Sequence, residues 1–575
     1  PDLVTDKNGE VRFTVKYPDD LTEWRESFVA IKGRQRGYAM SSVIARKDEV
    51  AKLKMPRFAV VGDSVSAIGT GVNYITGASA VDTIYAVAEG DSLCMQYVFG
   101  HDGEKRCSPV FAQGMEARDA NFYIIEGDTS FTLKYNKTIS SPMEVNVYTD
   151  IREVLINSVK ELAKSDWCSS NDYLALRLSA MRMVADTDYT KEIDNVEKKL
   201  LDNRMTNGLW CWYGKGNEHF SSLWVTEQVL EALGSKAVAD NNFNTRLASD
   251  FIRYRNERYW PGMFQVARLF DIVGDTIQRD LRLDEIPADS LAKYDRSALI
   301  EYQIMRGMEV RFDTMHHRTY TGGEYYTLNP KLRCCWFNPV YEQIETSLLA
   351  YKYYSMRGDA ARCRAIKLWL MQYVRNRGRF GIALSESLSL KIVKTLWQDD
   401  KVGLKDILYQ LSINDKVAYE LPYSAVVTDD ARLEYRGKRT LYVSTEQKYW
   451  EEDPEVVSNG MTIKSEYVKM KDNRSVIKVD VTLEADAEYL VISIPIPAGC
   501  SYDETTYSYT RGESHREEYK NRVNIFCEMI GEGSHHFEVP LNERYSGVYT
   551  INPSEVHLIY FPVFNANNKK TKVRL

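Results

Sequence analysis

No stretch of this chain approaches the ~20 consecutive apolar residues that a helix needs to cross a bilayer, and the opening residues PDLVTDKNGEV lack a charged-then-apolar leader pattern. Basic residues are not in excess either. A net charge of −7 and a pI near 5.8 are the reverse of what a phosphate-backbone binder needs, so nucleic acid is not an expected partner. There is no collagenous, mucin-like or disordered bias, since 44% of residues are apolar and 27% charged. The nine cysteines, Cys94, Cys107, Cys168, Cys211, Cys334, Cys335, Cys363, Cys500 and Cys527, include no CxxC pair. That excludes a recognisable zinc site or disulfide framework and leaves Cys94 with Cys107 as the one pairing the spacing favours.

What is present divides into three textures. At 575 residues the chain is too long for one hydrophobic core. Residues 10–17, EVRFTVKY, alternate so that Val11, Phe13, Val15 and Tyr17 share one side, which predicts a half-buried strand. The same texture, with Gly, Asp and Asn at turns, continues to about Asp150. From Ile151 apolar residues recur three and four apart, as at Leu174, Leu178 and Met181, and helical segments follow one another for about 250 residues. Some are linked by a repeated glycine–aromatic–glycine turn, as in NGLWCWYGKG, which suggests stacked helical hairpins in a toroid. After about Val402 alternation returns, with Ile477, Val479, Val481 and Leu483 on one face. Such an order of sheet, helix and sheet is not that of a common α/β enzyme, which alternates strand and helix unit by unit.

Several stretches resemble one family. TDKNGEVRFTVKYPDDLTEWRESFVAI carries a "pD-x-LT-x-WR" pattern at Pro18, Asp19, Leu21, Thr22, Trp24 and Arg25. MPRFAVVGDSV, NGLWCWYGKG, and the terminal EYLVISIPIPAGCSYDE and HREEYKNRVNIFCEMIGEGSHHFEVPLNERYSGVYTINPSEVHLIYFP complete the set. Together they resemble the C-terminal half of a bacterial-type alpha-2-macroglobulin, although Lys520 and Asn521 stand where its last domain usually has two aspartates. The resemblance implies β-sandwiches of macroglobulin-like and CUB-like type with an all-α toroid like the family's thioester domain. Residues 1–47 would end the macroglobulin-like domain that follows the bait region, and 48–115 would form the next sandwich. Residues 116–153 and 402–454 would be the two parts of the CUB-like domain, interrupted by the toroid at 154–401. Residues 455–575 would form the last, receptor-binding-like sandwich. The family traps proteases, the trigger being cleavage of a bait segment, which would lie upstream of Pro1. Expected partners are therefore proteases or other envelope proteins, including the rest of the parent chain, in a bacterial periplasm or at the cell surface.

Many family members also bond the attacker through a thioester between a cysteine and a glutamine three residues on. Here the matching stretch is DWCSSND: Cys168 keeps the sulfur, Trp167 stands at the family's glycine, Ser170 at its glutamate and Asn171 at its glutamine. The asparagine carboxamide is one methylene short, Trp167 adds bulk where the family turns on glycine, and Asn171 suits a helix N-cap. The expectation is a degenerate thioester position at Cys168 and Asn171, with Cys168 a buried thiol. No cofactor, metal or catalytic residue is expected.

Other features carry alternatives. His316–His317 and His535–His536 are adjacent pairs, but strand neighbours point to opposite faces and no third ligand has a recognisable spacing. His317 falls in a loop expected to be irregular and exposed. Trp210, Trp212, Tyr213 and Trp224 are expected to pack between helices. Vicinal Cys334–Cys335, before Trp336, is expected to be reduced. α/α toroids also host carbohydrate-active enzymes, for which Glu218, Glu227, Asp271 and Tyr326 are candidates, though nothing in the sequence places two on one cleft. A structural component of a cell-surface assembly is the other alternative reading.

Overall fold

The computed structural model describes residues 3–18, 21–184, 189–216, 221–234, 241–328, 339–372, 386–400, 408–470, 474–506 and 509–575. Its first element is a hairpin, Glu23–Lys32 against Gln35–Ile44. Residues 10–17 are not the half-buried strand that their alternation predicts. They join no ladder, and Val11, Phe13 and Val15 remain 41–49% exposed. The alternation finds ring contacts only, Phe13 against Phe28 at 6.2 Å and Tyr17 against Trp24 at 5.8 Å, with no second layer to close over them.

A sandwich follows. One sheet holds Glu49–Lys54, Ser64–Asn73 and Ser79–Val87, and the facing sheet holds Ala59–Val60, Ser92–Phe99 and Asp102–Phe111. Cys94 and Cys107 lie directly opposite on the last two strands and form a disulfide, with their Cα atoms 4.0 Å apart. Two strands from the far end of the chain complete the first sheet: Gly547–Ile551 pairs with Ser64–Val65, and Thr571–Arg574 pairs with Gly547–Ile551. Buried Asp63 fixes this joint by accepting from the amides of Val60 (2.9 Å) and Thr550 (2.7 Å). A continuous apolar cluster, including Leu53, Val65, Val479, Ile492 and Val539, runs from this sandwich into the last one.

Strands from both sides of the helices share the next two sheets. Leu441–Glu451 pairs with both Met115–Ile125 and Met143–Thr149, which also takes Tyr423–Val427, while Ala431–Gly437 lies between Thr129–Leu133 and Tyr409–Ile413. Asp150 ties the two crossings together: its carboxylate accepts from the amides of Arg152 (3.1 Å) and Thr440 (2.8 Å), and Arg152 is 3.4 Å away.

Among the described residues twelve α-helices lie between: α1 (Arg152–Lys164), α2 (Asn171–Val184), α3 (Thr190–Asp202), α4 (Leu223–Leu233), α5 (Asn241–Glu257), α6 (Trp260–Ile272), α7 (Thr276–Asp284), α8 (Ala288–Tyr294), α9 (Arg296–Met305), α10 (Pro339–Met356), α11 (Ala360–Leu370) and α12 (Glu386–Asp400). Their apolar spacing does what it predicts, since Leu174, Leu178 and Met181 of α2 are 0–4% exposed. Six helices form an inner ring in which α2 packs on α4, α4 on α6, α6 on α9, α9 on α10, α10 on α12, and α12 back on α2. The ring closes into a toroid, with α1, α3, α5, α7, α8 and α11 outside it. The last sandwich, from Met461 onward, packs a four-stranded sheet on a five-stranded one, and Ile477, Val479, Val481 and Leu483 are all buried between them. Among the described residues no helix is long and apolar enough to cross a membrane.

Candidate functional site

Helix α2 starts where the chain presses against the turn Cys211–Gly214. Gly214, at φ +56, supplies a backbone conformation that most side chains avoid, and Ser170 bridges to Tyr213 across the contact. Asn171 lies at the centre, fully buried. Its backbone N–H donates to Trp212 O at 2.8 Å, and its side-chain Nδ2 donates to Cys211 O at 2.8 Å and Gly214 O at 3.1 Å. Its Oδ1 accepts from Asn203 Nδ2 at 2.8 Å. The expected N-cap role is therefore corrected: Asn171 is the first residue of α2, and its oxygen serves Asn203 and not the first-turn amides. Burial explains the change, because a carboxamide removed from water must use both donors and its acceptor on whatever surrounds it. Ser170 O instead accepts the first helical bond, from Leu174 N at 2.9 Å.

Cys168 is half-buried against the toroid core, and its Sγ lies 3.2 Å from Ser170 Oγ. The sulfur thus has a hydroxyl as its neighbour while the carboxamide three residues on is engaged elsewhere. Trp167 is 74% exposed, packs edge-on against Tyr173 at 5.0 Å and has no positive φ, so its bulk meets no backbone penalty.

The aromatic turn divides between inside and outside. Trp210 is buried, its Nε1 donating to Leu200 O at 2.7 Å. Trp212 and Trp224, expected in the core, stack on each other at 5.2 Å while each stays nearly half exposed, and Tyr213 is 66% exposed. The boundary between inside and outside falls along the turn, between buried Trp210 and Cys211 and exposed Trp212 and Tyr213. Trp167, Trp212, Tyr213 and Trp224 thus leave aromatic surface exposed.

The loop containing His317 is also corrected. It forms a short hairpin, His316–Arg318 against Glu324–Tyr326, that docks on the last sandwich. Tyr325 Oη donates to Asp486 Oδ2 at 2.5 Å, His317 Nδ1 sits 3.4 Å from the same oxygen, and Asp486 N donates to Arg318 O at 2.8 Å. Tyr320 Oη donates to Gly460 O at 2.6 Å and accepts from Glu484 N at 3.2 Å. Burial acts to raise the Asp486 carboxyl, but His317, Tyr325 and the Glu532 amide together hold it below the usual carboxylate range. Sequence reasoning missed this cluster, since its partners lie about 160 positions apart and no local pattern joins them.

The remaining candidates do not converge. His316 faces Glu324 at 3.2 Å, His535 faces Gly531 O at 2.7 Å, and His536 meets Asp480 at 2.8 Å. Among the described residues no three His, Cys, Asp or Glu side chains gather as a metal site. Glu227 pairs with Arg268, which also reaches Glu301 at 3.5 Å; Asp271 pairs with Arg279 at 2.7 Å; Tyr326 is buried among Phe312 and Tyr354. Glu218, Cys334, Cys335 and Trp336 lie outside the described residues. Burial pushes the Cys500 and Cys527 thiols up to about 12.

Residues 1–83 match the model of the alpha-2-macroglobulin family, and residues 446–562 match the bacterial alpha-2-macroglobulin MG10 domain. A 76-residue stretch is 38% identical to an alpha-2-macroglobulin homolog of Nostoc sp., covering 13% of this chain and 4% of that protein. Escherichia coli alpha-2-macroglobulin activated by porcine elastase is similar over 99% of this chain and 60% of its own, at 12% identity and a TM-score of 0.41. Salmonella alpha-2-macroglobulin reacted with methylamine covers 98% and 43%, at 12% identity and 0.35. The chain thus spans well under two thirds of these relatives. Two separate stretches near its opposite ends thus match models of the alpha-2-macroglobulin family.

Proposed function

We propose that this chain is the C-terminal region of a protease-trapping protein that holds its target sterically, without a covalent thioester. The observation that carries this reading is the Asn171 carboxamide, whose two donor contacts and one acceptor contact occupy the group that would have to be the acyl donor. To form a thioester, the Cys168 sulfur would attack the Asn171 carbonyl and expel ammonia, and the two buried Nδ2 contacts, to Cys211 O and Gly214 O, would leave with the nitrogen. Each group left unsatisfied costs roughly 1–3 kcal/mol, before the strain of the shorter ring. Cys168 and Asn171 are then a relic pair that positions the start of α2 against its turn.

In this reading residues 1–47 and 48–115 are macroglobulin-like, 116–153 with 402–454 are CUB-like, 154–401 are the toroid and 455–575 are receptor-binding-like. The chain works outside the cytoplasm, in a bacterial periplasm or at the cell surface, and the Cys94–Cys107 disulfide supports an oxidising compartment. Its partners are proteases and the remainder of the parent chain, and it has no catalytic role.

The test is intact mass and thiol labelling of Cys168 before and after methylamine under native conditions. A thiol free from the start, with no amine adduct, is expected. A mass short by one ammonia, with the thiol released only as Asn171 takes up amine, would sink the proposal. For the steric trap, protease cleavage of the full-length parent should be followed by compaction in solution scattering; cleavage without a change of shape would favour a structural envelope component.

A further inference from the structure

The first sandwich treats the two edges of one sheet differently. Glu49–Lys54, on one side of Ser64–Asn73, has its outward main-chain donors covered: the Asp102 carboxylate accepts from Ala51 N at 2.9 Å, and the Glu104 carboxylate accepts from Leu53 N. Both carboxylates stand where another strand would otherwise pair. Ser79–Val87, on the other side of Ser64–Asn73, has no such cover among the described residues.

The ladder says which groups this second edge presents. Asn73 N donates to Ala78 O and Ala88 N donates to Asp63 O, so the even-numbered residues between them turn their N–H and C=O groups toward Ser64–Asn73. Ser79, Val81, Thr83, Tyr85 and Val87 turn theirs outward. Their side chains share one face, on which Val81, Tyr85 and Val87 are 56–73% exposed. The strand, SAVDTIYAV, holds no lysine or proline, and its register runs from Ser79 to Val87 without a bulge. Its one charge, Asp82, is engaged, accepting from Tyr97 Oη at 2.7 Å. The devices that keep an edge from pairing are thus present on one side of the sheet and missing on the other.

The open edge is complementary to itself. Antiparallel pairing about a two-fold axis at Thr83 sets Thr83 against Thr83, Val81 against Tyr85 and Ser79 against Val87 of the other copy. All are residues whose main-chain groups face outward, so each pair can exchange main-chain hydrogen bonds. Valine then packs on tyrosine, and Asp82 lies opposite Ile84, so no like charges meet. We propose that two copies of this chain join antiparallel along Ser79–Val87, merging their first sheets into one. The contact is a single strand wide and falls below the ~1,200 Å2 of a standard interface, so the dimer is weak and fills as concentration rises. The proposal does not rest on the protease-trapping reading.

Sedimentation velocity of the intact chain over a concentration series tests it, together with two variants at the axis, Thr83→Lys and Thr83→Glu. The native chain should pass reversibly from monomer to dimer. Each variant alone should stay monomeric at an unchanged melting temperature, because residue 83 is exposed and would face its own charge across the axis. An equimolar mixture of the two should dimerise again, since lysine then faces glutamate. Amide exchange at Val81, Thr83 and Tyr85 should slow as the native chain is concentrated, while Asp82 and Ile84, already in the ladder, should not change. A native chain that is monomeric throughout, a dimer that persists in both variants, or no recovery on mixing them would overturn the proposal.

Discussion

Replacing Asn171 by alanine removes the Nδ2 donor from the Cys211 and Gly214 carbonyls and the acceptor from the Asn203 carboxamide, so the variant should lose about 2–4 kcal/mol in urea unfolding. Asn171→Gln should also destabilise, because an extra methylene must enter a fully buried site. Should that variant acquire a methylamine-sensitive thiol, spacing alone would have disabled the thioester. At the other end of the size scale, the Cys94–Cys107 bond closes a short loop on paired strands. Its reduction should cost the first sandwich roughly 3 kcal/mol, readable as an earlier unfolding step under reductant.

Among elements, the inner ring of the toroid carries a charge triad across three helices, Glu227 of α4, Arg268 of α6 and Glu301 of α9. Burial raises the Glu227 carboxyl above its usual range, with Arg268 acting against that rise. Arg268→Met strands a buried carboxylate and should cost about 3–5 kcal/mol, while adding Glu227→Leu should recover much of the loss. Thermal unfolding of both variants checks this. The helices and their faces were legible because periodicity is local: Leu174, Leu178 and Met181 on α2, and Ile477 to Leu483 on their strand, are buried as spaced. The role of Asn171 was not, because its contacts come from Asn203 and from the Cys211–Gly214 turn some 40 residues away. Nor was the exposure of Trp212 and Trp224, since hydrophobicity alone does not say which side of an extended turn meets the core.

For the whole molecule, residues 317–325 join the helical region to the last sandwich through hydrogen bonds to Gly460, Glu484 and Asp486 and the ion pair of His317 with Asp486. Tyr320→Phe should therefore cost about 1–2 kcal/mol and raise amide exchange in residues 316–326. The pH dependence follows from Asp486. Its folded carboxyl lies below the ordinary value, so its contribution is present above the unfolded carboxylate pKa and is lost as pH falls through the depressed folded value. Hydrogen exchange of the 316–326 hairpin should accordingly stay slow at mildly acidic pH and accelerate only below the ordinary carboxylate range, and Asp486→Asn should abolish that step. No sequence pattern announced this joint, nor the return of strands 547–551 and 571–574 to the first sheet.

That return also bears on how the chain reaches its native state. Asp63 waits for an amide 487 positions further on, at Thr550. At synthesis rates of 5–20 residues per second, the early sandwich stands with an open edge for roughly 25–100 s before its closing strands exist. Until then the edge at Ser64–Val65 is a site for wrong pairing, and a holding chaperone would find its substrate there. Yield should then depend more on protection of nascent chains than on the stability of the finished fold.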